Sequence, residues 1–427
     1  MFFWRNHTLK VYFYTFGCKV NISETESFKY IFARKGAKVT DTPDEANMIV
    51  INSCCVTEHA YNKCLHFIKK QKKESPEKKI VLTGCLAEHI KNTPYLSDAD
   101  LIVTNGSKGE LFDLIRKKQD GVKTVFNHSV VESEGIPINS NKTRAFLKIQ
   151  DGCDNNCTYC IIPHVRGNSR SKKPEDILSE FNALIRNGFK EIVLVGIHLG
   201  SYGKGYNLSL GELLEILLNT KGDYRIRLSS IEFSEIDSRL IRIIKNDNKI
   251  CPHLHIPLQS GSDVVLKKMN RRYSVKEYLN IIDEIRKHIH HISIGSDVIA
   301  GFPGEKEECF DETVNFIKTY RPDFLHVFKY SDRKGTRANG MSDKNNDSVK
   351  TIRAKKLRDL GLDLTFKSSK NLISTNQRIL VENNGKGFTD NYHRVKLSEG
   401  APCNTFVNTK ILGINKNGLL IADTEPS

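Results

Sequence analysis

The chain has 427 residues, 39% of them hydrophobic, and 65 basic against 50 acidic side chains give a formal charge of +15. That length and apolar content exclude a disordered polymer or one small stapled domain, and predict two or three domains with cores of their own. No run of about 18 apolar residues occurs, so no membrane helix is expected, and eleven cysteines without a secretory leader point to a reducing cytoplasm and not to a disulfide framework.

From residue 8 to 121, apolar runs at Lys10 to Phe16, Met48 to Asn52, Lys79 to Thr83 and Leu101 to Val103 alternate with helical stretches such as Glu24 to Lys35 and Thr57 to Glu74. The pattern predicts an open parallel α/β sheet with crossover helices. Cys18, Cys54 and Cys85 each fall just past a different strand, where open parallel sheets gather ligands, so the three are expected to converge. Cys55 competes for the third position, and Cys64 reads as packing. A buried thiol is the ordinary fate of one such cysteine, and Cys251, Cys309 and Cys403 are read that way, as thiols without chemistry.

Residues 122 to 141 are rich in turn signals and read as a linker. Between 142 and 370, strands at Arg144 to Ile149, Glu191 to Gly196, Arg225 to Ser229, His253 to Leu258, Ile292 to Ala300 and Phe324 to Tyr330 alternate with helices, which predicts a partial (β/α)6 barrel. Directly after the first of these strands comes Cys153-Asp-Asn-Asn-Cys157-Thr-Tyr-Cys160. Three thiols in one loop leave one iron of a cubane cluster open to a substrate. With His164 the same loop offers a Cys3His zinc set. His253 and His255 share a face, as a metal pair or as packed, hydrogen-bonded rings. From 371 to 427, short strands at Gln377 to Glu382, Phe388 to Leu397, Thr405 to Ile414 and Leu419 to Ala422 predict a small antiparallel barrel. The charge excess is +5 in residues 1 to 121, +9 in 122 to 370 and +1 beyond, which fits a polyanionic partner for the first two segments.

Thr15-Phe-Gly-Cys-Lys-Val-Asn21, Asn52-Ser-Cys-Cys-Val-Thr57, the Cys153 loop, Gly196-Ile-His-Leu-Gly200, His253-Leu-His-Ile-Pro-Leu-Gln-Ser-Gly-Ser262 and Ser296-Asp-Val-Ile-Ala-Gly-Phe-Pro-Gly-Glu305 resemble the radical S-adenosylmethionine (SAM) methylthiotransferases. The wording is most similar to those acting on threonylcarbamoyladenosine in tRNA. The resemblance implies a 4Fe-4S cluster on Cys153, Cys157 and Cys160 that binds and cleaves SAM, and an auxiliary 4Fe-4S cluster on Cys18, Cys54 and Cys85 that carries the sulfur to be transferred. It further implies two SAM molecules per turnover, a reducing electron donor, and a tRNA anticodon stem-loop as partner, methylthiolated on ring carbon 2 of the adenosine.

Family positions suggest SAM contacts at Tyr159, Gly196, Ser230 and Gln259; His198 stands where the family's Gly-Gly-Glu would place glutamate. Arg166, Arg170, Lys172, Lys173, Arg271 and Arg272 lie beside the proposed active face and are expected to meet phosphates. The final segment, with Gly387-Phe-Thr-Asp-Asn-Tyr392, resembles a TRAM nucleic-acid-binding module, which makes Phe388 and Tyr392 stacking candidates. Rival expectations are action on isopentenyl-adenosine, action on a ribosomal-protein aspartate, and a zinc-containing RNA-binding module without catalysis. Oligomeric state is left open by the sequence.

Overall fold

The computed structural model describes residues 8–90, 98–117, 123–125, 143–398, 400–416 and 418–423. Its first sheet holds β1 (Lys10–Thr15), β2 (Lys38–Thr40), β3 (Met48–Ser53), β4 (Lys79–Gly84), β5 (Leu101–Val103) and β6 (Lys123–Val125), all parallel, in the order β2-β1-β3-β4-β5-β6. The helices that alternate with them are α1 (Lys19–Arg34), α2 (Glu58–Glu74), α3 (Cys85–Ile90) and α4 (Leu111–Lys117). β3 and β4 are buried over nearly their whole length, as unbroken apolar runs require when both faces are covered. The chain leaves β1 toward β2 on one side and returns to β3 on the other, so the topological switch point lies between β1 and β3. β2 and β6 have three residues each, too short to show a period, and neither stands out in the sequence. β6 occupies the start of the expected linker; its remainder, 126–141, lies outside the described residues.

β7 (Arg144–Lys148) opens the second body. A ribbon of β8 (Gln150–Asp151) and β9 (Arg170–Ser171) brackets the cysteine loop and α5 (Ile162–Arg166). β10 (Glu191–Val195), β11 (Arg225–Leu228), β12 (His253–His255), β13 (Ser293–Ala300) and β14 (Phe324–Lys329) follow, with α6 (Pro174–Arg186), α7 (Leu210–Leu218), α8 (Ser238–Asn246), α9 (Asp263–Lys268), α10 (Val275–His288), α11 (Glu307–Tyr320) and α12 (Asp347–Lys370) outside them. Parallel bridges at Ile226–Ile250 and Ser230–His255 join the three-stranded halves into one six-stranded partial barrel. Ile192, Leu194, Ile226, Leu228, Leu254, Ile256, Ile294 and Val298 face the helices in the main core, so the alternate residues face inward. Among the described residues no helix is long and apolar enough to cross a membrane.

The last body is a closed barrel, β15-β16-β17-β19-β18, of β15 (Asn376–Glu382), β16 (Lys386–Thr389), β17 (Arg394–Leu397), β18 (Phe406–Ile414) and β19 (Leu420–Ala422). The single strand expected at Phe388 to Leu397 is two, divided by a turn in which Tyr392 takes a φ of +75°, and β17 pairs with β19 in parallel to close the barrel. This barrel plugs the floor of the larger one. Arg225 and Arg227, near the start of β11, clasp Glu191 on β10, while Arg225 reaches Asp390 at 2.7 Å and Arg227 the Asp390 carbonyl at 3.1 Å. Phe388 and Tyr392 stack on each other in that joint, under Arg144 and Arg227. Their expected role as RNA-stacking aromatics is therefore corrected: cation–π and ring contacts already occupy both faces.

Candidate active site

Cys18 precedes the first turn of α1, Cys54 follows β3, and Cys85 opens α3 directly after β4. All three lie at the carboxyl edge of the sheet, two of them across the switch point. Gly17 sits at a φ of +114°, and a Cβ there would stand 2.8 Å from the Cys54 Cβ. Only glycine lets the two loops approach this closely. Asn21 ties the site together: its Nδ2 donates to the Ser53 carbonyl at 3.0 Å, and its Oδ1 lies 3.4 Å from the Cys18 thiol. Burial pushes the Cys54 thiol up to about 12, with repulsion from Cys85 and Cys18 adding to it. Cys55 donates instead to the Cys85 carbonyl, and Cys64 is fully buried in the core of this sheet.

The second triad crowns the partial barrel. The Cys160 amide donates to the Cys157 carbonyl at 3.1 Å, the Asn155 amide points at Cys153 Sγ at 3.4 Å, and Arg271 Nη1 stands 3.6 Å from Cys157 Sγ. Burial pushes Cys160 up to about 12. His198 bridges this loop to the barrel rim, with Nδ1 3.6 Å from Cys153 Sγ and Nε2 2.6 Å from Glu235. Burial works against its protonation, but the bonds to Cys153 and Glu235 outweigh burial and push it up to about 10.

Neither triad brings all three sulfurs within 4.8 Å of one another. Thiolates about 2.3 Å from one tetrahedral zinc lie about 3.8 Å apart, so neither triad is closed around a single ion. The four expected SAM positions surround the same rim: Tyr159 inside the loop, Gly196 after β10, Ser230 after β11, and Gln259, at a φ of +66°, beyond β12. Next to Ser230, the buried Ser229 Oγ has no hydrogen-bond partner among the described residues, an orphaned group on the inward face where a ligand would satisfy it.

Between the triads lies a charge network. Arg166 donates from Nε to Cys85 Sγ at 3.3 Å, from one Nη to Glu24 and Asp151 at 2.9 Å each, and from the other to Asn21 at 2.9 Å. Lys108 and Lys148 also pair with Glu24, at 2.5 and 3.3 Å. Burial raises the Glu24 carboxyl, yet these three cations hold it well below the usual carboxylate range. Arg166 is thus corrected from a phosphate contact to a fully engaged buried guanidinium. The same holds for Lys172, buried on Glu180, and for Arg271, buried on Glu232. Lys173 and Arg272 are exposed, and Arg170 is half-buried. Glu24 has a faint sequence signature, since Asn21, Glu24 and Phe28 share one helical face and a buried acid there demands a partner. Its partners lie 84 to 142 residues away and have no local signal.

A model of the Radical SAM superfamily matches residues 147–317, and a model of Uncharacterized protein family UPF0004 matches residues 10–105. The threonylcarbamoyladenosine tRNA methylthiotransferase MtaB of Bacillus subtilis is 38% identical over 404 residues, covering 90% of this chain and 89% of that protein. Its Thermotoga maritima counterpart is 35% identical, covering 86% and 85%. The tRNA-2-methylthio-N(6)-dimethylallyladenosine synthase of Clostridium beijerinckii is 34% identical, covering 95% and 94%. In fold, the chain resembles the radical S-adenosylmethionine methyltransferase TsrM of Kitasatospora setae, with a TM-score of 0.54 at 10% identity over 75% of this chain and 73% of that one. With two cysteine triads at the carboxyl edges of two parallel sheets and relatives of this identity over nearly its whole length, the chain belongs to the radical SAM methylthiotransferase family.

Proposed function

We propose that this enzyme adds a methylthio group to ring carbon 2 of threonylcarbamoyladenosine, next to the anticodon of tRNA, using two SAM molecules and two 4Fe-4S clusters. The observation that carries the reading is the pair of cysteine triads, one beside each parallel sheet, with one buried arginine bonded both to Cys85 and to Asp151, two residues before Cys153. The names of the Bacillus and Thermotoga relatives favour the threonylcarbamoyl substrate. Held by Cys153, Cys157 and Cys160, a cluster with one open iron would cleave SAM reductively, and a second, on Cys18, Cys54 and Cys85, would supply the sulfur. The protein's own part is geometric and electrostatic. Arg166 sets a fixed positive charge against Cys85, Arg271 sets another near Cys157, and Gly196, Ser230, Gln259 and Tyr159 form the rim on which SAM is seated. The proposed domains are 8–121, 142–370 and 371–427.

The test is anaerobic reconstitution followed by mass spectrometry of nucleosides from stem-loops bearing threonylcarbamoyl- or isopentenyl-adenosine. Methylthiolation of the first supports the proposal. Turnover of the isopentenyl stem-loop alone overturns the substrate assignment, and about one zinc per chain in place of about eight irons overturns the enzyme reading altogether.

A further inference from the structure

Outside the cysteine sites, one cluster of titratable side chains faces the interior of the partial barrel. His255 on β12, Asp297 on β13 and His326 on β14 stand on neighbouring strands, with His255 opposite Gly295 and Asp297 opposite His326 in register. Leu254, Ile256, Ile294 and Val298 on the same strands point to the outer core, and Leu325 and Val327 pack against it, so the three polar residues point inward. His255 Nε2 donates to Asp297 Oδ1 at 2.8 Å, and His326 Nδ1 lies 3.4 Å from the same oxygen. The two imidazoles stack, with centroids 5.1 Å apart. Gly295 makes the arrangement feasible, because a Cβ there would stand 2.7 Å from His255 Nδ1.

Burial raises the Asp297 carboxyl, but the adjoining imidazoles outweigh it and hold Asp297 well below the usual range. Asp297 is therefore a fixed anion that orients two rings. Among the described residues these three are also the one group with ligating atoms all within 4.8 Å. The 2.8 Å separation of His255 and Asp297 is nevertheless that of a direct hydrogen bond. Two ligands at about 2.0 to 2.1 Å from one tetrahedral zinc keep about 3.3 Å between them.

Exposure rises along the cluster, from 10% for the His255 side chain through 21% for Asp297 to 61% for His326. Among the described residues no hydrogen bond reaches His326 Nε2, which opens to the interior. Two residues on along β14, toward the carboxyl end where the cysteine loop lies, Phe328 shares this face and is 44% exposed. That places an apolar platform about 6.6 Å nearer the mouth than the histidine.

We infer that this face is the subsite for the N6 substituent of the target adenosine: Phe328 stacks on the base, and His326, oriented by Asp297 and backed by His255, recognises a polar, carboxylate-bearing acyl group over an apolar prenyl group. The inference rests on the tRNA reading above and deepens it. The relatives include both kinds of enzyme at similar identity, so sequence similarity alone leaves the choice of substituent weakly determined. With Nδ1 held by Asp297, the His326 ring presents Nε2 for a hydrogen bond with the polar acyl group. A prenyl group in the same place would strip water from His326 and Asp297 and return no hydrogen bond, and sites built to bond a polar group reject analogues lacking it far more strongly than apolar pockets reject an added methylene.

The test uses the reconstituted full chain and its His326→Leu, His326→Gln and Phe328→Ala variants, with stem-loops carrying threonylcarbamoyl- or isopentenyl-adenosine. Readouts are kcat/KM for methylthiolation and stem-loop binding by fluorescence anisotropy. His326→Leu is expected to lower kcat/KM and affinity for the threonylcarbamoyl stem-loop about 10- to 100-fold, the loss typical of leaving a polar group of the bound substituent unpaired, and to spare the isopentenyl stem-loop. His326→Gln should recover part of the loss, and Phe328→Ala should weaken both substrates alike. If the wild type prefers the threonylcarbamoyl stem-loop and His326→Leu leaves the ratio unchanged, the subsite is overturned while the substrate reading stands. If the wild type acts only on the isopentenyl stem-loop, both are overturned.

Discussion

Arg166 Nε donates to Cys85 Sγ at 3.3 Å, so the segment directly after one cysteine loop supplies the charge that faces the third cysteine of the other. The guanidinium is 1% exposed and also serves Glu24 and Asp151. Removing it in Arg166→Ala leaves two buried carboxylates short of their main counter-charge, a loss expected to cost about 3 to 5 kcal/mol. Arg166→Lys keeps the charge but lacks the planar fork, and should fall between. Urea unfolding of the apo chain reads the stability, and iron content after reconstitution reads the effect on the Cys85 site. Wild-type values of both in Arg166→Ala would show that the network is dispensable.

The two triads are expected to separate functionally. Cys18→Ala should hold about four irons in place of about eight and abolish methylthiolation, yet still cleave SAM at least in part. Cys157→Ala should lose SAM cleavage. Iron analysis and the yield of 5′-deoxyadenosine check the pair, and equal loss of cleavage in both variants would count against distinct roles.

Of the basic residues beside the active rim, Lys173 and Arg272 are exposed. If each meets a phosphate, Lys173→Ala and Arg272→Ala should each weaken stem-loop binding and reduce the slope of log affinity against log salt by about 0.7 to 0.9. Lys172→Ala, by contrast, should act on stability through its buried partner Glu180. Binding titrations over a range of salt distinguish the two kinds of lysine.

His393 seats the small barrel on the large one, with Ser293 Oγ 3.1 Å from Nε2 and Ser369 Oγ 3.0 Å from Nδ1. Burial lowers its pKa from 6.5 to about 4. Between those values the unfolded chain binds a proton that the folded chain does not, so stability rises with pH through this window and is lost as pH falls from 6.5 toward 4. The full shift corresponds to about 3 kcal/mol. His393→Gln should flatten the pH dependence of the unfolding midpoint between pH 4 and 6.5; an unchanged slope would show that His393 takes up no extra proton on unfolding.

Much of this protein was legible along the chain. Strand signals marked β1, β3, β4 and β5 and all six barrel strands, β3, β4 and β5 as continuous apolar runs buried on both faces, β11 and β12 as apolar residues alternating with Arg or His, and the positions of Cys18, Cys54 and Cys85 past strand ends predicted their convergence. The Cys153 loop needed no fold to be noticed, since its spacing is local. Basic runs were ambiguous for a physical reason: a lysine or arginine beside an active face reads the same in sequence whether it meets solvent or a buried acid. Arg166, Lys172 and Arg271 proved buried because Glu24, Asp151, Glu180 and Glu232 reach them, in three of these four pairs from 15 or more residues away. Phe388 and Tyr392 were drawn to the barrel floor by Arg144 and Arg227, contacts that exist only once the small barrel docks. Local spacing by itself determined which residues could bear the chemistry; long-range packing, through desolvation and charge pairing across strands, decided which of them remain open to a partner.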